Sequence, residues 1–200
     1  MKMKVKVATV VDTYKSTLIA FFENIFTLKN LYRQGWVRYY GVAEEYTESV
    51  ADHSFSVATL SYLFAKEYFP DLDADKVLKL ALFHDIGEVH AGDIPLSSIK
   101  TQADRDAKHN KEQESVQRVF APLYHGKEMV ALWEEFESGK SKEAQFVKEI
   151  DKLEFLLQAL LYQKSNVIDI DFDAVLARSN QFFTHEILKA VVKEIREHSQ

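Results

Sequence analysis

The sequence predicts an all-α protein, on three observations. Six glycines and three prolines in 200 residues fall well short of the roughly 12% that these two turn formers usually supply together. Few turns mean long elements. Apolar residues recur at three- and four-residue spacing through most of the chain, the period of a helix with one buried face. The balance of 46% apolar to 28% charged residues is that of an ordinary soluble globule, and a chain of this size removes about 70% of its unfolded surface from water. At about 150 residues per domain, a single compact domain over 1–200 is expected.

The elements follow in order. Residues 14–32 carry Leu18, Phe21, Phe22, Ile25, Phe26 and Leu28 at helical spacing. Gly35 and Gly41 break that pattern, so 34–41 reads as a loop. A helix is expected from Thr47 to Phe69, with Val50, Phe55, Val57, Ala58, Leu60, Leu63 and Phe64 inward, ending before Pro70 as the residue before proline disfavours helix. Asp73 or Asp75 can cap the next helix. Its run Val77, Leu78, Leu80, Ala81, Leu82, Phe83 is apolar nearly all round, which implies burial in the middle of the domain. Gly92 to Ser98 reads as a loop, and 104–118 as a charged, solvated helix. Residues 128–137 make a further short helical segment. A helix over 141–163 carries the stripe Val147, Ile150, Leu153, Leu156, Leu157, Leu160 and Leu161. Asp171 or Asp173 starts another helix, and 183–198 makes the last.

Composition narrows the function. A net charge of −6 disfavours binding to a nucleic-acid polymer. The absence of cysteine removes disulfides, cysteine-ligated zinc, iron–sulfur clusters and thiol nucleophiles together. The basic start, Met1 to Val11, is too short in apolar residues for a signal peptide, and no run approaches the ~18 residues of a membrane span. A cytoplasmic enzyme or binding module is expected.

The informative feature is polar residues in apolar places. His84 and Asp85 directly follow Leu80-Ala-Leu-Phe83; Asp151 lies between Val147 and Phe155; His53 lies between Val50 and Val57. A lone inward histidine is more often a hydrogen-bonded core residue. A buried carboxylate without a partner should not persist. Three apolar helices, each presenting His or Asp inward, are reconciled by one shared cation. Two imidazoles and two carboxylates suit Mn²⁺, Co²⁺, Ni²⁺, Fe²⁺ or Zn²⁺ better than Ca²⁺ or Mg²⁺.

The order His53, His84-Asp85, Asp151 resembles the HD-domain metal-dependent phosphohydrolases. Within them, Glu48-Ser-Val-Ala-Asp-His-Ser54, His84-Asp-Ile-Gly-Glu-Val-His-Ala-Gly-Asp-Ile-Pro95 and Ile150-Asp-Lys-Leu-Glu-Phe-Leu-Leu-Gln-Ala159 are similar to the 5′-deoxynucleotidase subgroup. The resemblance spans about 20–165, with C-terminal helices over 166–200. It implies an HD helical bundle holding one divalent transition metal through His53, His84, Asp85 and Asp151. It further implies a homodimer that removes the 5′-phosphate of (deoxy)ribonucleoside monophosphates. Glu88 stands where the subgroup handles the proton of the attacking water, and Asp93 where a residue helps hold the nucleotide. Trp36 resembles the tryptophan that crowds a ribose 2′-hydroxyl. The subgroup's arginine directly before that tryptophan is Gly35 here, which leaves Arg33 and Arg38 both open as phosphate ligands. His90, His109 and His125 are weighed as ligands of a second metal, with a solvated face as the simpler reading.

Two rivals remain at this level. One is an HD phosphohydrolase acting on a nucleoside triphosphate, (p)ppGpp or a cyclic dinucleotide, which calls for more basic residues than the chain shows near its motifs. The other is a non-catalytic metal- or nucleotide-binding module, against which the intact Glu88 argues.

Overall fold

The computed structural model describes residues 17–199; the basic segment Met1 to Val11 and the expected helix start at Tyr14 lie outside them. The described residues form ten α-helices, α1 (Thr17–Asn30), α2 (Gln34–Tyr39), α3 (Val50–Tyr68), α4 (Ala74–Phe83), α5 (Glu88–Ala91), α6 (Gln102–Phe120), α7 (Gly126–Ser138), α8 (Lys142–Lys164), α9 (Phe172–Ser179) and α10 (Glu186–His198), with short 3-10 turns at Leu96–Ser98 and Asn180–Phe182. Extended pairing among them is limited to an isolated antiparallel bridge between Tyr32 and Ser49. None of these helices is long and apolar enough to cross a membrane. The chain divides into two compact units, one of the chain through Ser54 with Phe83–Glu134, the other of Phe55–Leu82 with the chain from Glu135 onward.

In the first unit the core gathers Leu28 of α1, Val50 of α3, Ile86 and Val89 around the start of α5, Val116, Val119 and Phe120 of α6, and Trp133 of α7. Phe120 sits between Phe21, stacked at 6.1 Å, and Phe83, met edge-on at 5.7 Å. Burying each such side chain stabilises the unit by about 1.5–3 kcal/mol. A capping box starts α6: Thr101 accepts from the Asp104 N–H at 3.1 Å and the Asp104 carboxylate accepts from the Thr101 N–H at 2.9 Å. That closes two of the donors a helix start leaves open.

In the second unit α8 presents Val147, Ile150, Leu153, Leu156 and Leu160 as a buried stripe, and α10 packs on it. Its caps are legible in the sequence. Ser141 accepts from the Ala144 N–H, Asp73 from the Asp75 and Lys76 N–H groups, and Asp171 from the Ala174 N–H. The buried carboxylate of Glu149 takes the Thr184 N–H and hydroxyl and the His185 N–H, and pairs with the His185 ring, which ties down the start of α10.

Four expectations need correction. Residues 34–39 are a short helix; the break comes at Gly41, whose φ of +68° only glycine adopts without strain. Phe55 and Leu63 are 72% and 51% exposed, because both lie off the face of α3 that buries His53, Val57, Ala58, Ser61 and Ala65. α4 buries Val77, Leu80 and Ala81 only, and Leu82 is half exposed. α6 is less solvated than its charge suggests, with Glu112, Ser115 and Val116 buried.

Candidate metal and active site

His53 stands in the first turn of α3, its side chain fully buried. His84 and Asp85 do not lie in a helix as expected. α4 ends at Phe83, and 84–87 is a turn closed by bonds three residues apart, Ile86 N–H to Phe83 O, Glu88 N–H to Asp85 O and Val89 N–H to Ile86 O. The turn is closely packed: a Cβ on Gly87 would come within 2.9 Å of the Glu112 Cβ and 3.1 Å of its carbonyl oxygen. The backbone of α6 therefore lies directly against the turn.

Three atoms able to bind a metal come together here. The Nε2 atoms of His53 and His84 are 3.3 Å apart, and Asp85 Oδ2 lies 3.2 Å from Nε2 of His84 and 3.6 Å from Nε2 of His53. Donors bound about 2.0–2.2 Å from one divalent ion stand about 2.8–3.6 Å apart at octahedral or tetrahedral angles. The triangle therefore fits one face of such a shell, and its N/N/O chemistry suits a transition ion.

Around the triangle stand the other expected residues of this unit. The Arg33 guanidinium donates to Asp85 Oδ2 at 3.1 Å, while Arg38, one turn into α2, donates to Gln34 on the exposed side. Of the two arginines, Arg33 is the one bonded to the triangle. Asp93 accepts from the N–H of Gln34, the first residue of α2, and so anchors that helix. Trp36 is buried, with its indole donating to Glu48 at 2.8 Å and its ring tilted against Tyr40. Glu88 opens α5; it is buried, and its Oε2 has no hydrogen-bond partner. Asp151 belongs to the second unit, half-buried on α8, with its Oδ2 2.7 Å from Lys152 Nζ.

The family model described as an HD domain matches residues 25–191. The chain belongs to the HD-domain family. It is 36% identical over 160 residues to the 5′-deoxynucleotidase HDDC2 of Bos taurus, covering 78% of this chain and 73% of that protein. The 5′-deoxynucleotidase hdd1 of Schizosaccharomyces pombe is 32% identical over 74% of this chain and 73% of its own length. Among solved structures, a conserved hypothetical protein from Pyrococcus furiosus aligns with a TM-score of 0.71 at 30% identity, over 90% of this chain and 99% of that one.

The electrostatics of this HD site separate its two neighbouring carboxylates. Burial pushes Asp85 up, but the charges of His84, Arg33 and His53 and a hydrogen bond from His84 outweigh it and hold the group well below the usual carboxylate range. Glu88 goes the other way. Burial and the charges of Asp85 and Asp93 raise it well above its ordinary value, against the weaker pull of Arg33 and Lys108. One acid is held ionised, and the other binds its proton more tightly than an ordinary glutamate.

Three residues of the site escaped the sequence reading. Glu48 receives Trp36 on its side chain and the Arg33 N–H on its backbone oxygen; it sits inside the quoted motif, so its acidity among buried neighbours was the available signal. Lys108 and Glu112 form an ion pair at 2.7 Å within the stretch read as solvated. His109, weighed as a second-metal ligand, stacks on Trp133 at 5.5 Å. His125 pairs with exposed Glu128, and the His90 N–H donates to Ser115.

Proposed function

We propose that this HD domain is a metal-dependent phosphomonohydrolase that removes the 5′-phosphate of (deoxy)ribonucleoside monophosphates. The observation that carries the chemistry is the His53–His84–Asp85 triangle beside a buried Glu88 oxygen without a partner. Similarity to 5′-deoxynucleotidases across most of both chains supports the substrate class. His53, His84 and Asp85 hold one transition ion, and Asp151 is its fourth ligand; its place in the sequence motif supports that role. The ion, when bound, lowers the pKa of a coordinated water and polarises a phosphoryl oxygen.

The chain's own residues supply the rest. Glu88 accepts the proton of the attacking water and returns one to the leaving nucleoside oxygen; its raised affinity for protons suits both halves of that exchange. Arg33 neutralises the phosphate, which its place against Asp85 supports. Asp93 keeps α2 docked and so holds Arg33 and Trp36 in register, and Trp36 lines the sugar. Both compact units together form one HD domain, which the single family match across both supports. A homodimer is proposed on the resemblance to the 5′-deoxynucleotidase subgroup, and a cytoplasmic location with it.

The test is phosphate release from a panel of deoxy- and ribonucleoside 5′-monophosphates, each with Mn²⁺, Co²⁺, Ni²⁺, Zn²⁺ or Mg²⁺. Hydrolysis of triphosphates or cyclic dinucleotides in preference to monophosphates would sink the reading.

A further inference from the structure

We propose that Lys108 is a second phosphate-binding residue of this site, reaching the substrate from α6 opposite Arg33. The inference rests on the phosphomonohydrolase reading. A nucleoside monophosphate brings about two negative charges to a site already holding Asp85, Glu88 and Asp93, so cations must meet it. Among the charged groups that act on Glu88 in the described residues, two are cationic, Arg33 and Lys108. Arg33 is already engaged by Asp85.

The placement of Lys108 follows from the Gly87 contact. Because α6 abuts the 84–87 turn at Glu112, a residue one helical turn earlier is carried alongside the same turn. Lys108 is that residue, and its Nζ lies 2.7 Å from Glu112 Oε1 with its side chain 22% exposed. The ammonium is thus lodged beside the site yet keeps an open side. Burial alone would ease its proton off, but the charges of Glu112, Asp85 and Glu88 outweigh that and keep it cationic. A lysine on a flexible stem with three donors can hold Glu112 and a phosphate oxygen together.

The competing role is structural: Lys108 could serve only to satisfy buried Glu112. A double variant separates the two. In Mn²⁺-loaded protein, calorimetric Kd for inorganic phosphate and KM for dAMP are measured for wild type, Lys108→Met, Lys108→Arg and Lys108→Met with Glu112→Gln. Loss of a charged hydrogen bond predicts phosphate affinity lower by about 10- to 100-fold in Lys108→Met, with KM raised in step and kcat changed less. The double variant stays weak, because neutralising the acid does not restore the missing cation, and Lys108→Arg recovers most of the affinity. Wild-type phosphate affinity in the double variant, or in a folded Lys108→Met, overturns the proposal. Wild-type protein that hydrolyses no monophosphate refutes the activity instead, and the phosphate affinities still decide Lys108.

Discussion

The indole Nε1 of Trp36 donates to Oε1 of Glu48 at 2.8 Å, with both side chains buried. Its one polar group is therefore spent inside the protein, and with Trp36 only 1% exposed any face that a sugar could meet is apolar ring surface. A ribose 2′-hydroxyl against that surface has no partner, and burying it costs about 1–3 kcal/mol, or roughly 5- to 150-fold. dAMP is expected to be hydrolysed faster than AMP by a factor in that range. Trp36→Ala narrows the gap mainly by improving the ribonucleotide; equal rates in the wild type would show that Trp36 does not read the sugar.

Glu88→Ala separates proton handling from metal binding. The change removes none of the proposed ligands, so metal content and nucleotide affinity stay near wild type. Turnover falls by about 10²–10⁴, the usual weight of general acid–base catalysis. Elemental analysis of the variant is the check: loss of the ion would make Glu88 a ligand.

Asp151→Asn removes a negative charge from the proposed ligand set. Metal affinity and hydrolysis are expected to fall together, and added Mn²⁺ in excess recovers part of the activity. Unchanged metal content after dialysis would confine Asp151 to its ion pair with Lys152.

Gly87→Ala tests the close approach of α6 to the 84–87 turn. The new Cβ meets Glu112 Cβ at 2.9 Å and backbone atoms of the same residue at 3.1 and 3.3 Å, so helix or turn must shift. Overpacking of this kind costs about 1–3 kcal/mol. A lower thermal midpoint and a loss of activity larger than the stability loss explains are expected. A wild-type melting curve with full activity would show that the turn has slack.

The helices were legible because their cause is local. Apolar spacing in α8 and the caps Ser141, Asp73 and Asp171 act within one or two turns of chain, so the sequence displays them directly. The cluster of His53, His84 and Asp85 was legible for a different reason: two imidazoles and a carboxylate in apolar settings need partners. What the sequence misjudged depends on neighbours distant along the chain. It could not place His84 and Asp85 in a turn, because that turn packs against Glu112, which lies far along the chain.

By itself, then, the sequence determined the all-α class and the family, and narrowed two helix starts to a pair of aspartates each, since spacing and residue chemistry are properties of the chain alone. The tertiary structure decided the rest. It set Arg33 against Asp85, with its N–H on the Glu48 carbonyl, and turned Arg38 to Gln34. It turned Phe55 outward and His53 inward on the same helix. It also set the opposite proton affinities of Asp85 and Glu88, two carboxylates three residues apart, because desolvation and the charges facing each group exist only once the chain has folded around them.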